Sequence, residues 1–109
     1  MSFLRAGKGG GGVNPTLVDS GCIVRVSGTM KTFSVDTSKK YILTFTYKYN
    51  DNVFRSDICY IHDKTLEHLG SDEPPTGATI SINASGNTVT ITGINTASYY
   101  NDYMFVQLD

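Results

Sequence analysis

Histidine and carboxylate side chains, which could hold a metal ion, concentrate in one segment of the sequence. The segment carries His62, Asp63, Glu67, His68, Asp72 and Glu73. Their spacing matches neither the ligand pattern of zinc sites nor the acidic loop of calcium sites. We interpret the segment as a charged, exposed loop and predict no metal and no other cofactor.

The two cysteines are the next candidates for chemistry. Cys22 and Cys59 both lie in apolar, strand-like surroundings, which predicts two buried thiols that act as small hydrophobic side chains. A disulfide between neighbouring strands remains open, because sequence does not give the geometry that a disulfide requires.

Phosphate binding and catalysis find little support in the sequence. Lys8 lies in a GKGGGG run that lacks the pattern of a phosphate-binding loop. No serine or cysteine stands in a nucleophile elbow, and both histidines fall in one loop region. We predict that the protein is not an enzyme.

A cluster of tyrosine, asparagine and aspartate side chains lies near the C-terminus. Its members are Tyr99, Tyr100, Asn101, Asp102 and Tyr103. Strand alternation cannot bury all three rings on one face, so some are expected at a rim, an interface or a shallow groove. Tyrosine has an apolar body and a polar tip that suit all three places. The cluster is a candidate subunit interface or glycan-binding surface.

The elements that must position these residues are strands. Residues 41–50 alternate aromatic or aliphatic side chains with mostly polar ones, which predicts a central strand with one buried face. Residues 53–62 are predicted to be a strand with Phe54, Ile58 and Tyr60 inward and with Arg55, Asp57 and Cys59 on the other face. Further strands are predicted at residues 22–27, 32–36, 65–69, 78–84, 88–92 and 99–108.

Short turns separate these segments. Residues 28–31 and the Asp63-Lys64 pair read as turns, and residues 70–77 read as one long loop. Seven or eight strands in this length predict a single antiparallel β-sandwich or jelly-roll-like all-β domain over residues 16–109.

Residues 1–15 form a glycine-rich arm that differs from the rest of the chain. An isolated arm of this composition would be flexible. We predict that it docks on a neighbouring subunit, with Phe3 and Leu4 as apolar anchors and with glycines that allow close backbone approach. Those glycines are Gly9, Gly10, Gly11 and Gly12. The alternatives are an arm folded back on its own domain and an arm held by a crystal contact.

Composition limits the classes of partner. The chain has 109 residues and a formal net charge of −1, without the basic patch that nucleic acid or an anionic membrane would select. No apolar run is long enough to span a membrane, and the N-terminus does not resemble a signal peptide. We expect neither nucleic acid nor membrane as a partner.

Three segments resemble small β-sandwich structural proteins of tailed bacteriophages: SGTMKTFSVDTSKKYILTFTY, ATISINASGNTVTIT and YYNDYMFVQLD. The resemblance implies a capsid-decoration, head-fibre or tail protein that is assembled in the host cytoplasm. It implies a homotrimer that contacts other virion proteins in the virion and is exposed for host attachment. No site residues follow from it. The alternative function is a carbohydrate-binding module that recognises host cell-surface glycans.

Overall fold

Eight antiparallel strands lie in the part of the chain that the structure describes. The computed structural model describes residues 14–24, 28–50, 53–71, 78–93 and 100–108, and no helix occurs among them. The strands are β1 (Thr16–Val24), β2 (Gly28–Ser34), β3 (Tyr41–Asn50), β4 (Val53–His62), β5 (Thr65–Ser71), β6 (Ala78–Ile82), β7 (Thr88–Gly93) and β8 (Tyr100–Gln107). The predicted all-β class and strand number are confirmed.

The strands form two sheets that face each other. The larger sheet has the order β1-β8-β3-β4-β5, and the smaller has the order β2-β7-β6. The connections β3–β4, β4–β5 and β6–β7 are hairpins, whereas the other four cross between the sheets. The predicted jelly-roll-like sandwich is thereby confirmed, and β3 is central as expected.

Aromatic rings from both sheets fill the core. Phe105 of β8 stacks on Tyr41 of β3 with ring centroids 4.9 Å apart, and it meets Phe33 of β2 at 4.6 Å. Leu43, Phe45, Val89 and Ile91 complete the centre and are almost fully buried. Along each strand these core residues alternate with residues whose side chains point away from the core.

The sheets are also joined by a polar contact at one edge. Lys31 of β2 lies 3.1 Å from the Asp19 carboxylate of β1, and the Tyr103 hydroxyl donates to the same Asp19 oxygen at 3.1 Å. The Lys31 ammonium lies 5.5 Å from the centre of the Tyr103 ring. This group, the Asp19–Lys31–Tyr103 clasp, connects β1, β2 and β8.

Two predictions about strand positions were wrong at the N-terminal side. β1 begins at Thr16, well before the predicted strand, and residues 25–27 lie outside the described residues. Residues 28–31 are not a turn but the first half of β2, because Gly28 pairs with Gly93 of β7. In both places the backbone conformation is determined by pairing with a strand that is distant in the sequence, and not by local turn propensity.

The predicted facing of β4 was also wrong. Cys59 pairs with Leu43 of β3, and Ile61 pairs with Tyr41. Directly paired residues share a face of the sheet, so the buried face of β3 brings Asp57, Cys59 and Ile61 inward. Ile58 and Tyr60 therefore lie on the outer face. Burial of the Cys59 thiol is confirmed, whereas Cys22 is exposed, and both thiols are free.

Candidate functional site

A tight hairpin between β4 and β5 positions the strongest candidate site. The turn residues Asp63 and Lys64 both have positive φ, 48° and 65°, as expected for a two-residue hairpin of the primed type. The Thr65 hydroxyl donates to the carbonyl of His62 at 2.7 Å and closes the turn. This turn pairs Cys59 with His68.

The ladder between the two strands is irregular just past this pair. Ile58 pairs with Gly70, so Leu69 is left as an extra residue on β5. Such a bulge bends the strand and redirects neighbouring side chains. His68, immediately before the bulge, reaches both Cys59 and the next inward residue of β4, Asp57.

Asp57, Cys59 and His68 form a compact group, the Asp57–Cys59–His68 cluster. The His68 Nδ1 lies 2.9 Å and 3.1 Å from the two Asp57 carboxylate oxygens and 3.6 Å from the Cys59 Sγ. The three candidate ligand atoms all lie within 4.8 Å of one another. Asp57 and Cys59 are buried, but the His68 side chain is 46% exposed, so the cluster reaches solvent.

This arrangement does not suit nucleophilic catalysis by the thiol. A catalytic histidine uses one nitrogen for the nucleophile and the other for the orienting carboxylate. Here the same nitrogen, Nδ1, faces both Asp57 and Cys59. Burial and then the Asp57 carboxylate raise the pKa of the Cys59 thiol to about 12, so the reactive thiolate is scarce.

The other histidine of the segment lies on the opposite face of the sheet. His62 is on the outer face, where it stacks on the Tyr60 ring at 4.4 Å and lies 3.2 Å from the Asp63 carboxylate. Glu67 is 3.6 Å from the His62 ring. Asp72 and Glu73 lie outside the described residues. The two histidines of the predicted group therefore lie on opposite faces of the sheet.

Sequence reasoning missed the Asp57–Cys59–His68 cluster, although a signal for it was present. A two-residue turn at Asp63-Lys64 places position 59 opposite position 68, and that turn was predicted. The cluster is missed because the predicted facing of β4 places Asp57 and Cys59 on the side away from the core, whereas both face the core.

The predicted tyrosine surface is not formed as one surface. Asn101 is fully buried, and its side-chain amide donates to the Ile23 carbonyl at 3.0 Å. Tyr103 is buried in the core against Phe33, with ring centroids 5.4 Å apart. The reason is register, because the odd-numbered residues of β8 face the smaller sheet.

The remaining members of that prediction are less informative. Asp102 is exposed on the outer face. The side chain of Tyr100 and all of Tyr99 lie outside the described residues. The arm prediction also falls outside them, since residues 1–13, including both apolar anchors and the four glycines, are not described.

Apolar side chains form a row across the outer face of the larger sheet. Leu17 pairs with Val106, Val106 with Ile42, and Ile42 with Tyr60. These four residues are the outer apolar row. Ile42 and Val106 are buried and Tyr60 is half-buried, whereas Leu17, at the β1 end, is 56% exposed.

Two further exposed apolar side chains lie near the exposed end of the row. Val18, which a bulge leaves unpaired on β1, and Met104 of β8 are both exposed. Exposed large apolar side chains that lie together favour a contact surface. The strand at this end of the row, β1, directly follows residues 1–15 in the sequence.

The part of the chain that the structure describes contains no helix that could cross a membrane. Comparisons of the chain with protein-family models, with curated proteins and with solved structures return no match.

Proposed function

We propose that the chain is a non-enzymatic structural subunit that joins copies of itself through the arm of residues 1–15 and the outer apolar row. The observation that carries this proposal is the exposed end of the row. Leu17 and Met104 present apolar surface on the sheet face away from the core, and the exposed Val18 follows Leu17 on β1. Burying one leucine side chain contributes roughly 1.5–3 kcal/mol, so a partner that covers this end gains stability.

The position and length of the arm support a neighbouring copy as the partner. The arm joins β1 at Thr16, one residue before Leu17. Fifteen extended residues span roughly 50 Å, whereas five strands of a sheet span roughly 20 Å. An arm of this length reaches past its own sheet to the outer apolar row of a neighbour. A closed ring such as a trimer satisfies every arm in this way.

Solution mass measures this association. Light scattering of the full chain is expected to show an oligomer, and deletion of residues 1–14 should give monomers with an intact far-UV circular dichroism spectrum. Leu17→Lys should raise the dissociation constant by at least about tenfold, which is about 1.4 kcal/mol, because it places a charge in the contact.

Leu69→Lys is the matched control for Leu17→Lys. Leu69 is 58% exposed, close to the 56% of Leu17, but it lies on β5 at the opposite edge of the sheet. The control should associate like the unmodified chain. A monomeric full-length chain, or equal disruption by both variants, would contradict the proposal.

We place this subunit in the virion of a tailed phage, as a capsid-decoration, head-fibre or tail component assembled in the host cytoplasm. The support is the resemblance of the three segments quoted above. Antibody labelling of purified particles of the phage that encodes the chain should mark heads or tails at regular positions. Unlabelled particles would contradict this part of the proposal. The proposal of self-association would not be affected, because the solution mass tests it separately.

Glycan recognition gains no support from the described residues. Stacking on a sugar requires exposed rings, and Tyr103 is buried while Asn101 is occupied with the Ile23 carbonyl. The structural role is therefore the better supported of the two functions.

A further inference from the structure

The Asp57–Cys59–His68 cluster combines three different ligand types in one place. Carboxylate oxygen, thiolate sulfur and imidazole nitrogen are the donors that proteins offer to zinc. The three atoms lie within 4.8 Å of one another and come from paired strands of one hairpin. We propose that this cluster is a binding site for a zinc-like divalent cation.

One of the ligand separations already matches a tetrahedral centre. Ligand atoms 2.0–2.3 Å from zinc stand roughly 3.3–3.7 Å apart when the geometry is tetrahedral. The His68 Nδ1 and the Cys59 Sγ are 3.6 Å apart, which is within this range. The nearest Asp57 oxygens are 2.9 Å and 3.1 Å from the same nitrogen. Both distances are shorter than the tetrahedral range, so the Asp57 carboxylate has to move away from this nitrogen when a metal ion binds.

Charge balance favours the same assignment. The cation displaces the Cys59 thiol proton, which passes to solvent. It also replaces the hydrogen bond between the His68 Nδ1 and Asp57, so the neutral ring holds its proton on Nε2 and Nδ1 binds the metal. One carboxylate and one thiolate then neutralise the two positive charges, with a neutral imidazole as the third ligand. A neutral site fits the buried positions of Asp57 and Cys59, because an uncompensated buried charge is costly.

The partial exposure of His68 supplies an entry path. Its side chain is 46% exposed, although Asp57 is only 7% exposed as a side chain. A cation can therefore arrive from solvent, and a water molecule can occupy the fourth position. The rigid β4–β5 hairpin holds the ligands in place without requiring a loop to close.

Cobalt(II) provides a direct probe of this site. The experiment uses the full chain with Cys22→Ser, because Cys22 is exposed and would bind cobalt by itself. The expected result is one Co²⁺ per chain, with a thiolate-to-metal charge-transfer band and the visible bands of tetrahedral cobalt. Added Zn²⁺ should remove the bands. A chain without the charge-transfer band would overturn the proposal, and this readout needs no change at the site itself.

Two histidine variants in the same background test the ligand set. His68→Ala should weaken Zn²⁺ binding at least tenfold in calorimetric titration, whereas His62→Ala, on the opposite face, should bind as before. Thermal unfolding provides a third readout: Zn²⁺ should raise the Tm of the Cys22→Ser chain, and Mg²⁺ at the same concentration should not. Equal losses in both histidine variants, or equal Tm shifts with both metals, would contradict the assignment.

Discussion

Asp19 shows how a single, partly exposed carboxylate takes part in joining the two sheets. Two hydrogen bonds hold the pKa of Asp19 below its ordinary value of 3.8. The larger effect comes from Lys31 and a smaller one from the Tyr103 hydroxyl. The carboxylate bonds to side chains of β2 and β8 at once. Its ionised form is thus favoured in the folded chain over the unfolded chain.

A pH dependence follows from this lowered pKa. Above the ordinary carboxyl pKa, Asp19 is charged in both states and its stabilising effect is fully present; the effect is lost as pH falls through the lower folded pKa. Asp19→Asn should therefore have a lower Tm than the unmodified chain at neutral pH, and the gap should close at strongly acidic pH. Thermal melts from pH 7 to 2 measure the gap, and a gap that stays constant to pH 2 would contradict the role of the charge.

Cys59 illustrates where residue-scale sequence reasoning succeeds and where it fails. An apolar strand context predicted its burial, which is confirmed. The same reasoning gave Asp57 and Cys59 the wrong face, because β4 carries apolar residues on both faces: Ile58 and Tyr60 alternate with Cys59 and Ile61. Only the pairing with Leu43 of β3 decides between the faces, and pairing is a tertiary property.

At the scale of elements, two hairpin turns from different sheets meet. Gly86, in the turn between β6 and β7, has φ +75° and packs against the backbone of Lys64 in the turn between β4 and β5. Asn83 organises the first turn, since its side-chain oxygen accepts from the backbone amides of Asn87 and Thr88, both at 3.0 Å. The contact closes one end of the sandwich.

Gly86→Ala should destabilise the domain by about 2–4 kcal/mol. A methyl group there would overlap the Cα and Cβ of Lys64, and positive φ adds strain of about 1–2 kcal/mol for a residue other than glycine. The measurement is urea unfolding monitored by circular dichroism.

Gly28→Ala separates the two causes. Gly28 also has positive φ, +96°, but an added Cβ meets nothing within 4 Å. The control should therefore lose only the strain energy. Equal losses in the two variants would show that the contact between the turns adds nothing to stability.

The elements differ in how far their sequences predicted them. β3 and β4 have the predicted bounds, and the β6–β7 hairpin stands where alternation and its Ser85-Gly86 turn placed it. The glycine at the start of β2 predicts a turn there, whereas the structure has a strand. Its strand conformation depends on β7, some sixty residues further along the chain, and no local pattern carries that information.

At the scale of the whole molecule, Phe105 connects the layers. Its ring contacts Tyr41 in its own sheet and Phe33 in the other. Phe105→Ala should lower the free energy of unfolding by about 3–5 kcal/mol, a large part of the 5–15 kcal/mol typical of a domain. Urea titration measures this loss.

Thr32→Ala is the control for this core substitution. Thr32 precedes Phe33 on β2 and is exposed, so its change should stay within about 1 kcal/mol. A Phe105 variant no less stable than this control would show that the aromatic contacts do not hold the sheets together.

Fold class and strand number were predictable for the whole molecule because alternation and turn residues recur along the chain. The Asp57–Cys59–His68 cluster and the Asp19–Lys31–Tyr103 clasp were not, because each joins residues through strand order. The alternation of apolar and polar residues indicates that a side chain faces the core. It does not indicate which residue of another strand lies opposite.

The order β1-β8-β3 has a consequence for biosynthesis. β3 is translated long before β8, which becomes its neighbour and completes its hydrogen bonds. A nascent chain that ends at Gly93 therefore exposes one edge of β3, a strand rich in aromatic residues. In the same chain β1 has no partner strand. Unpaired strand edges promote aggregation. Until β8 emerges from the ribosome, the growing polypeptide is a natural client for chaperones that shield such edges.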